Sequence, residues 1–318
     1  MTRWSALLPC FNEAENLRPV YQRLAKMAAE IGGDWEFLFI DDHSTDRTPD
    51  VLAELAQADA RVKSVRFARN FGSHAAIAAG LAHSSGDAAV ILAADGQDPP
   101  EDVPRMIAKW KEGFRVVWAV RAAREDAFLV KAASRLYWGL MKRIALPNSP
   151  PAGADMLLVD RAVIDVVNQV RERNTSILGV ILWTGFEQAF IEYTKQARLS
   201  GSTKWTLAKK LKLAVDSVVS FSYAPIRWMS ALGFATAVLG FFYLALVLVR
   251  AIVIRELPQG WSSLMAVVLL TSGVQMMMLG MLGEYLWRTL DETRSRPRYL
   301  VDRTINLEPK REEPPARA

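Results

Sequence analysis

The residues best suited to chemistry are carboxylates that follow short apolar runs. Asp41-Asp42, with Ser44 and Asp46, closes the run Glu36 to Ile40, and Asp95, with Gln97 and Asp98, closes Ala88 to Ala93. Carboxylates so placed can accept hydrogen bonds from the base and ribose of a nucleotide. They can also hold a divalent cation against a diphosphate. A single aspartate after a strand is commonly a helix cap or turn residue, but two clusters at neighbouring strand ends point to a site. Pro9-Cys10-Phe11-Asn12-Glu13 follows the first apolar run where a dinucleotide-binding chain has G-x-G-x-x-G, and there is no Walker-A loop. Any phosphate is therefore left to a metal and basic side chains rather than to a glycine cradle. Cys10 is the only cysteine, which excludes an internal disulfide and a cysteine-built zinc site. His43 reads as a polar turn residue, and His74 and His83 fall in no recognisable ligand spacing.

The elements that must position these residues alternate. Ser5 to Pro9, Glu36 to Ile40, Val62 to Phe67, Ala88 to Ala93 and Val116 to Val120 read as strands. Asn16 to Ile31, Pro49 to Ala58, Ser73 to His83 and Glu101 to Lys111 read as helices between them. Thr48-Pro49 suggests a helix start, with a hydroxyl N-cap and proline at the first helical position. Strand–helix alternation implies a mostly parallel α/β sheet covered on both faces. Ligands of such sheets sit beyond the carboxyl ends of the strands, where the aspartates fall.

Beyond about Pro225 the composition changes. Over the whole chain of 318 residues, 51% are hydrophobic and the mean hydropathy is +0.09. The excess lies in two uncharged stretches, Trp228 to Val249 and Trp261 to Gly283, each longer than the ~20 residues that cross a bilayer core. Trp228, Trp261 and Trp287 suit an interfacial aromatic belt. Lys204, Lys209, Lys210, Lys212 and Arg227 precede the first stretch, and Arg288, Arg294, Arg296 and Arg298 follow the second. Between them stand only Arg250, Arg255 and Glu256. By the positive-inside rule, both termini and the α/β domain face the cytosol. Leu207, Leu211, Ala214, Val215, Val218 and Phe221 recur at helical spacing among lysines, as in an amphipathic helix on an anionic leaflet or a helix packed on the domain, two readings that are compatible. The net charge of +5 is concentrated at these flanks, which argues against nucleic acid as the partner. The tail from Glu308, rich in Pro, Glu and Arg, reads as disordered.

In order along the chain, Pro9-Cys10-Phe11-Asn12-Glu13-Ala14-Glu15-Asn16 resembles P-x-Y-N-E-x-x-N, and Asp41-Asp42-His43-Ser44-Thr45-Asp46 resembles D-D-G-S-x-D. Arg69-Asn70-Phe71-Gly72 and Gln97-Asp98-Pro99-Pro100-Glu101 are similar to further blocks, Glu172-Arg173-Asn174 to part of another, and Arg198, Gly201, Thr203 and Lys204 to R-x-x-G-x-[ST]-K. These are motifs of the GT-A-fold family 2 glycosyltransferases, in the branch of dolichol-phosphate mannose synthase-like and bactoprenol glucosyltransferase enzymes. The resemblance runs from about Ser5 to Arg288. It implies a cytosolic, Rossmann-like GT-A domain with a two-helix membrane anchor at a bacterial inner membrane. It further implies inverting transfer of one sugar from a nucleotide-sugar, UDP-glucose favoured, to polyprenyl (undecaprenyl) phosphate. By the same resemblance Pro9, Glu13 and Asp42 hold base and ribose, Gln97 lines the donor site, and Asp95 holds Mg²⁺ or Mn²⁺. Arg121, Arg198, Thr203 and Lys204 attend the phosphates, and Asp155 orients the acceptor or shares a cation.

Departures from the pattern are specific. Ala93-Ala94-Asp95 stands for Asp-x-Asp, Met156-Leu157 and Thr175 replace an aromatic-arginine pair and an arginine, and His43 replaces glycine. The missing carboxylate leaves open a non-catalytic member that binds nucleotide-sugar or lipid and scaffolds a partner. A processive polysaccharide synthase needs Q-x-x-R-W, and Ala224 precedes Arg227-Trp228 where glutamine is required. The resulting domain map is 1–205 catalytic, 206–226 juxtamembrane helix, 227–288 membrane hairpin and 289–318 cytosolic tail. Gly273, Gly280 and Gly283 form a small-residue face suited to close helix packing in a homo-oligomer.

Overall fold

The structure is a computed structural model that describes residues 1–121, 154–170, 172, 176–196, 224–249, 252 and 260–307. It divides into two compact units, one of Met1–Ser217 with Pro297–Ala318, the other of Val218–Arg296.

The first unit opens with β1 (Arg3–Cys10), whose residues from Trp4 to Leu8 are buried on both faces, as a central parallel strand requires. Helix α1 (Ala14–Ile31) presents Leu17, Val20, Leu24, Met27 and Ala28 to the core. It ends at Gly32, whose φ of 74° suits glycine and whose N–H returns to the Ala28 carbonyl at 3.0 Å. Then follow β2 (Asp34–Asp41), α2 (Thr48–Ala58), β3 (Val62–Phe67), α3 (Ser73–His83) and β4 (Ala88–Ile91). One turn of 3₁₀ helix (Pro100–Asp102) leads into α4 (Val103–Lys111) and β5 (Val116–Arg121). The unit continues with β6 (Ala154–Asp160), α5 (Arg161–Gln169), α6 (Ile177–Trp183) and β7 (Gln188–Tyr193).

Among the described residues these strands form one eight-stranded sheet, in the order β7-β5-β6-β4-β1-β2-β3-β8, where β8 is Val301–Ile305. β1 pairs in parallel with β2 and β4, β2 with β3, and β5 with β7, while β6 and β8 run antiparallel to their neighbours. The sheet is thus mixed, with the parallel core anticipated from the strand–helix alternation. Strand order reverses at β1, between β4 and β2, which opens a crevice beyond their carboxyl ends. Helices α1, α2 and α4 bury their apolar sides in one core cluster with Trp4, Phe37 and Phe39. On α3, Gly80 lies so near the sheet that a Cβ there would fall 2.9 Å from Ile40 Cδ1.

Three differences from the sequence reading have local causes. β4 stops at Ile91 rather than Ala93, because the Ala93 N–H turns away to Asp98 Oδ2 at 2.9 Å. Thr48 is the first residue of α2 and not its cap; its hydroxyl accepts the Glu13 N–H at 2.9 Å, and Asp46 Oδ1 takes the Thr48 N–H at 2.9 Å. The strands β6, β7 and β8 were not anticipated, and β8 brings residues expected in a free tail back into the sheet. The reading of residues from Glu308 as disordered lies outside the described residues, as does the amphipathic helix up to residue 223.

The second unit contains α7 (Ala224–Val249) and α8 (Trp261–Thr293). Among the described residues, Ile226–Val247 is long and apolar enough to cross a membrane, with a hydropathy of 2.0. A Cβ on Gly233 would lie 3.1 Å from Met278 Cε, so α7 and α8 approach closely there. At Gly273, Gly280 and Gly283 a Cβ would meet nothing within 4 Å, so this face is not used for packing within the described chain.

Gly86, on the turn into β4, has very little space. Its Cβ would lie 2.7 Å from Ser5 Oγ and 2.8 Å from both Ser5 N and Ala88 O, two of them backbone atoms. Gly86→Ala is expected to destabilise the first unit by about 1–3 kcal/mol, read as a lower unfolding temperature of the full-length protein.

Candidate functional site

The carboxyl ends of β1, β2, β4, β5 and β7 and the amino end of antiparallel β6 lie along one edge of the sheet. Pro9 pairs with Ile40 and Cys10 with Asp41, so the turns leaving β1 and β2 begin side by side. Asn12, at φ 54°, donates its N–H to Ser44 Oγ (2.9 Å) and accepts the Thr45 N–H (2.8 Å). The Ala14 N–H reaches Asp46 Oδ2 at 3.3 Å, and Asn16 Nδ2 donates to Glu13 Oε2 at 2.5 Å. The first turn of α1 leaves backbone amides without helical partners, and here the β2–α2 turn supplies them. Glu13 is thereby fixed at the mouth of the crevice.

The two adjacent aspartates have different partners. Asp41 accepts from the Ser44 N–H at 2.8 Å and is paired with Arg66, its partner in β3, whose second nitrogen reaches the Ser44 carbonyl at 3.0 Å. Asp42 faces the β3–α3 loop, and its oxygens accept the N–H groups of Phe71 (2.6 Å) and Gly72 (2.8 Å). Burial pushes the Asp42 carboxyl up to about 6; the charge of Asp41 acts in the same direction, and the two amides oppose it. Burial likewise raises the Cys10 thiol well above its usual value. His43, at φ 62°, donates from Nδ1 to the Phe67 carbonyl at 3.0 Å, the role of a polar turn residue. His74 Nδ1, by contrast, is buried and has no hydrogen-bond partner among the described residues.

The other cluster surrounds Asp95. Its Oδ1 accepts the Gln97 N–H at 3.1 Å across Gly96, whose φ is 74°. Buried Asp98 anchors the loop: it takes the Ala93 N–H, accepts the Tyr193 hydroxyl at 3.3 Å and lies 3.8 Å from Lys195 Nζ. Gln97 and Gln196 add a backbone bond of 3.0 Å and a side-chain bond of 3.3 Å. Asp155 occupies a bulge in β6, between the pairs Ala119↔Met156 and Val120↔Ala154. Its side chain lies outside the described residues, as do Arg198, Thr203 and Lys204. Arg121 ends β5 opposite Tyr193.

The edge therefore brings together Pro9, Glu13, Asp42, Asp95, Gln97, Arg121 and the backbone of Asp155. Arg66, Tyr193 and Lys195 were missed by sequence reasoning, because each acts through strand register that local spacing does not reveal. No group of three or more metal-ligating side chains occurs among the described residues. Asp95 thus fits a cation such as Mg²⁺, which takes most of its ligands from phosphate and water, and does not fit an all-protein cage.

Two outcomes follow from this geometry. His43→Gly is expected to leave the unfolding temperature nearly unchanged, while His43→Val lowers stability by roughly 1–2 kcal/mol, since a branched side chain is strained at positive φ. An Asp42 carboxyl that titrates near 6 when folded and near 3.8 otherwise binds more protons in the folded state between those values. Its ionisation therefore costs stability at neutral pH, and the loss is recovered as pH falls from about 7 to 4. Relative to Asp42→Asn, the wild type should gain on the order of 1–2 kcal/mol over that range; a constant difference in unfolding free energy would contradict this.

The sequence matches the pattern of glycosyl transferase family 2 over residues 5–168. It is 38% identical over 310 residues to the "Uncharacterized glycosyltransferase YkcC" of Bacillus subtilis (strain 168), covering 97% of this chain and 96% of that one. It is 34% identical over 301 residues to the prophage bactoprenol glucosyl transferase homolog of Escherichia coli (strain K12), covering 94% and 98%. A bactoprenol glucosyl transferase of Shigella phage SfX is 34% identical over 299 residues, covering 93% and 98%. Among solved structures, glucosyl-3-phosphoglycerate synthase from Mycobacterium tuberculosis shares the fold, with a TM-score of 0.50 at 17% identity over 69% of this chain and 78% of that one. By the family match and by relatives that run nearly its whole length, this chain belongs to glycosyl transferase family 2.

Proposed function

We propose that the protein transfers a single sugar, with inversion, from a nucleotide-sugar to polyprenyl (undecaprenyl) phosphate at the cytosolic face of a bacterial inner membrane. The observation that carries this reading is the extent of the likeness. Relatives named bactoprenol glucosyl transferase align over 93–94% of the chain, beyond the α/β unit and through the long helices. Their names favour glucose, and UDP-glucose is the preferred donor. The two helices form a membrane hairpin with basic flanks on the cytosolic side, which holds the α/β unit next to a lipid acceptor.

In this reading Pro9, Glu13 and Asp42 receive the base and ribose. Each Asp42 oxygen already accepts one amide and retains a second lone pair for a hydroxyl. Asp95 would hold Mg²⁺ or Mn²⁺, which neutralises the diphosphate as it leaves; the fold relative from Mycobacterium tuberculosis was solved with Mn²⁺ and UDP. Gln97 lines the sugar side, and Arg121, Arg198, Thr203 and Lys204 attend the phosphate groups. An acceptor phosphate monoester carries roughly −1.5 to −2 charges at neutral pH. Its oxygen can attack the anomeric carbon with little prior deprotonation. Asp155 would orient that phosphate, and the main task of the site is to hold two anionic groups in line.

Ala93 supports a second reading, a member that binds donor or lipid without turnover, because one carboxylate of Asp-x-Asp is absent. Radiolabelled transfer to undecaprenyl phosphate, screened over UDP- and GDP-sugars in purified membranes, separates the two. The expected result is label in the lipid with Mg²⁺ or Mn²⁺, none with EDTA, and a loss of about a hundredfold or more in Asp95→Ala. Nucleotide binding without transfer from any donor would establish the second reading.

A further inference from the structure

The segment that follows α8 packs on the loop that holds Asp42. The Ala68 N–H donates to the Leu300 carbonyl at 2.9 Å, and β8 continues the contact through Phe67↔Val301 and Arg66↔Arg303. The Tyr299 ring stacks on Phe67 with centroids 5.0 Å apart and planes inclined by 17°. Phe67 in turn meets Phe71 edge-on at 5.7 Å, and the Arg69 guanidinium lies 4.5 Å above the Phe71 ring. Asp302 stands 3.9 Å from Arg66, the arginine that also pairs with Asp41. At the far end, Asn306 Nδ2 donates to the carbonyls of Ala56 (3.0 Å) and Val62 (2.9 Å), anchoring the segment to α2 and to the start of β3.

We infer that residues 299–306 are a positioning element of the donor site, with Tyr299 setting the β3–α3 loop through Phe67 and Phe71. The inference rests on the donor-site reading proposed above. The path is short and continuous. Tyr299 supports Phe67, the Phe67 carbonyl holds His43, and the loop that begins at Phe67 presents the Phe71 and Gly72 amides to Asp42. A stacked aromatic pair contributes more than its buried area alone, and here it lies directly behind that loop. Residues near the end of the chain therefore shape a pocket built from its first hundred residues.

Three full-length proteins in detergent test this: wild type, Tyr299→Ala and Tyr299→Phe. Hydrogen exchange at the Phe71 and Gly72 amides and the affinity for UDP are measured with the unfolding temperature. Tyr299→Ala is expected to speed exchange at both amides and weaken UDP binding roughly three- to tenfold, with Tyr299→Phe close to wild type. A lower unfolding temperature with unchanged exchange at these amides and unchanged UDP affinity would overturn the inference, leaving Tyr299 a purely structural residue. If Tyr299→Ala does not fold, Asp302→Asn is read in the same way, the loss then passing through Arg66 to Asp41. Faster exchange in Tyr299→Ala, with UDP bound by none of the three proteins, would uphold the coupling and count against the donor assignment.

Discussion

Backbone amides at the ends of parallel strands need acceptors, and in this protein aspartates provide them. Among the described residues, the loops that leave β1, β2, β3 and β4 are each held by such a carboxylate. Asp46 holds the start of α1 and α2, Asp41 the β2 turn, Asp42 the β3–α3 loop and Asp98 the β4–α4 loop. An unmade hydrogen bond in a buried position costs far more than a made one contributes, so these loops have little freedom to rearrange. Concentrating anionic groups on one edge also has an electrostatic effect. The charge of Asp41 adds to burial, the larger cause, in raising the Asp42 carboxyl to about 6.

The same constraint explains how a site with a single candidate metal carboxylate can be well defined. Ala93 has no side-chain ligand to offer, but its N–H still closes the loop onto Asp98. Tyr193 and Lys195 hold Asp98 from the opposite side of the sheet's strand order, across β5 and β6. The loop is thus kept in shape by its second, buried aspartate rather than by the residue missing from the motif. The shape of the loop around Asp95 is in this way independent of a carboxylate at position 93.

The parallel core was legible because its strands are apolar runs and its helices have a clear period. Asp42 and Asp95 were legible because they follow such runs. β6 was hidden by its position after a long stretch with no simple period, and β7 because the exposed Phe190 breaks an alternation in which Ala189, Ile191 and Tyr193 are buried and Gln188 and Glu192 are not. β8, Val-Asp-Arg-Thr-Ile, has the alternation of an edge strand, but it lies in a charged segment whose composition suggests a tail. Arg66 illustrates the general limit. Its type and place in β3 are evident, yet its pairing with Asp41 depends on strand register across two separate segments.

The return of β8 also bears on how the protein is made. The edge of β3 that pairs with Ile305 and Thr304 is synthesised early, and its partner only after both long helices. During translation β3 is therefore exposed as an open edge, and it cannot be covered until both long helices have been made. An open edge is a site for non-native strand pairing. Completion of the sheet is thus linked in time to completion of the helical unit, and chains that stop short carry an uncapped β3 by which they can be distinguished from finished ones.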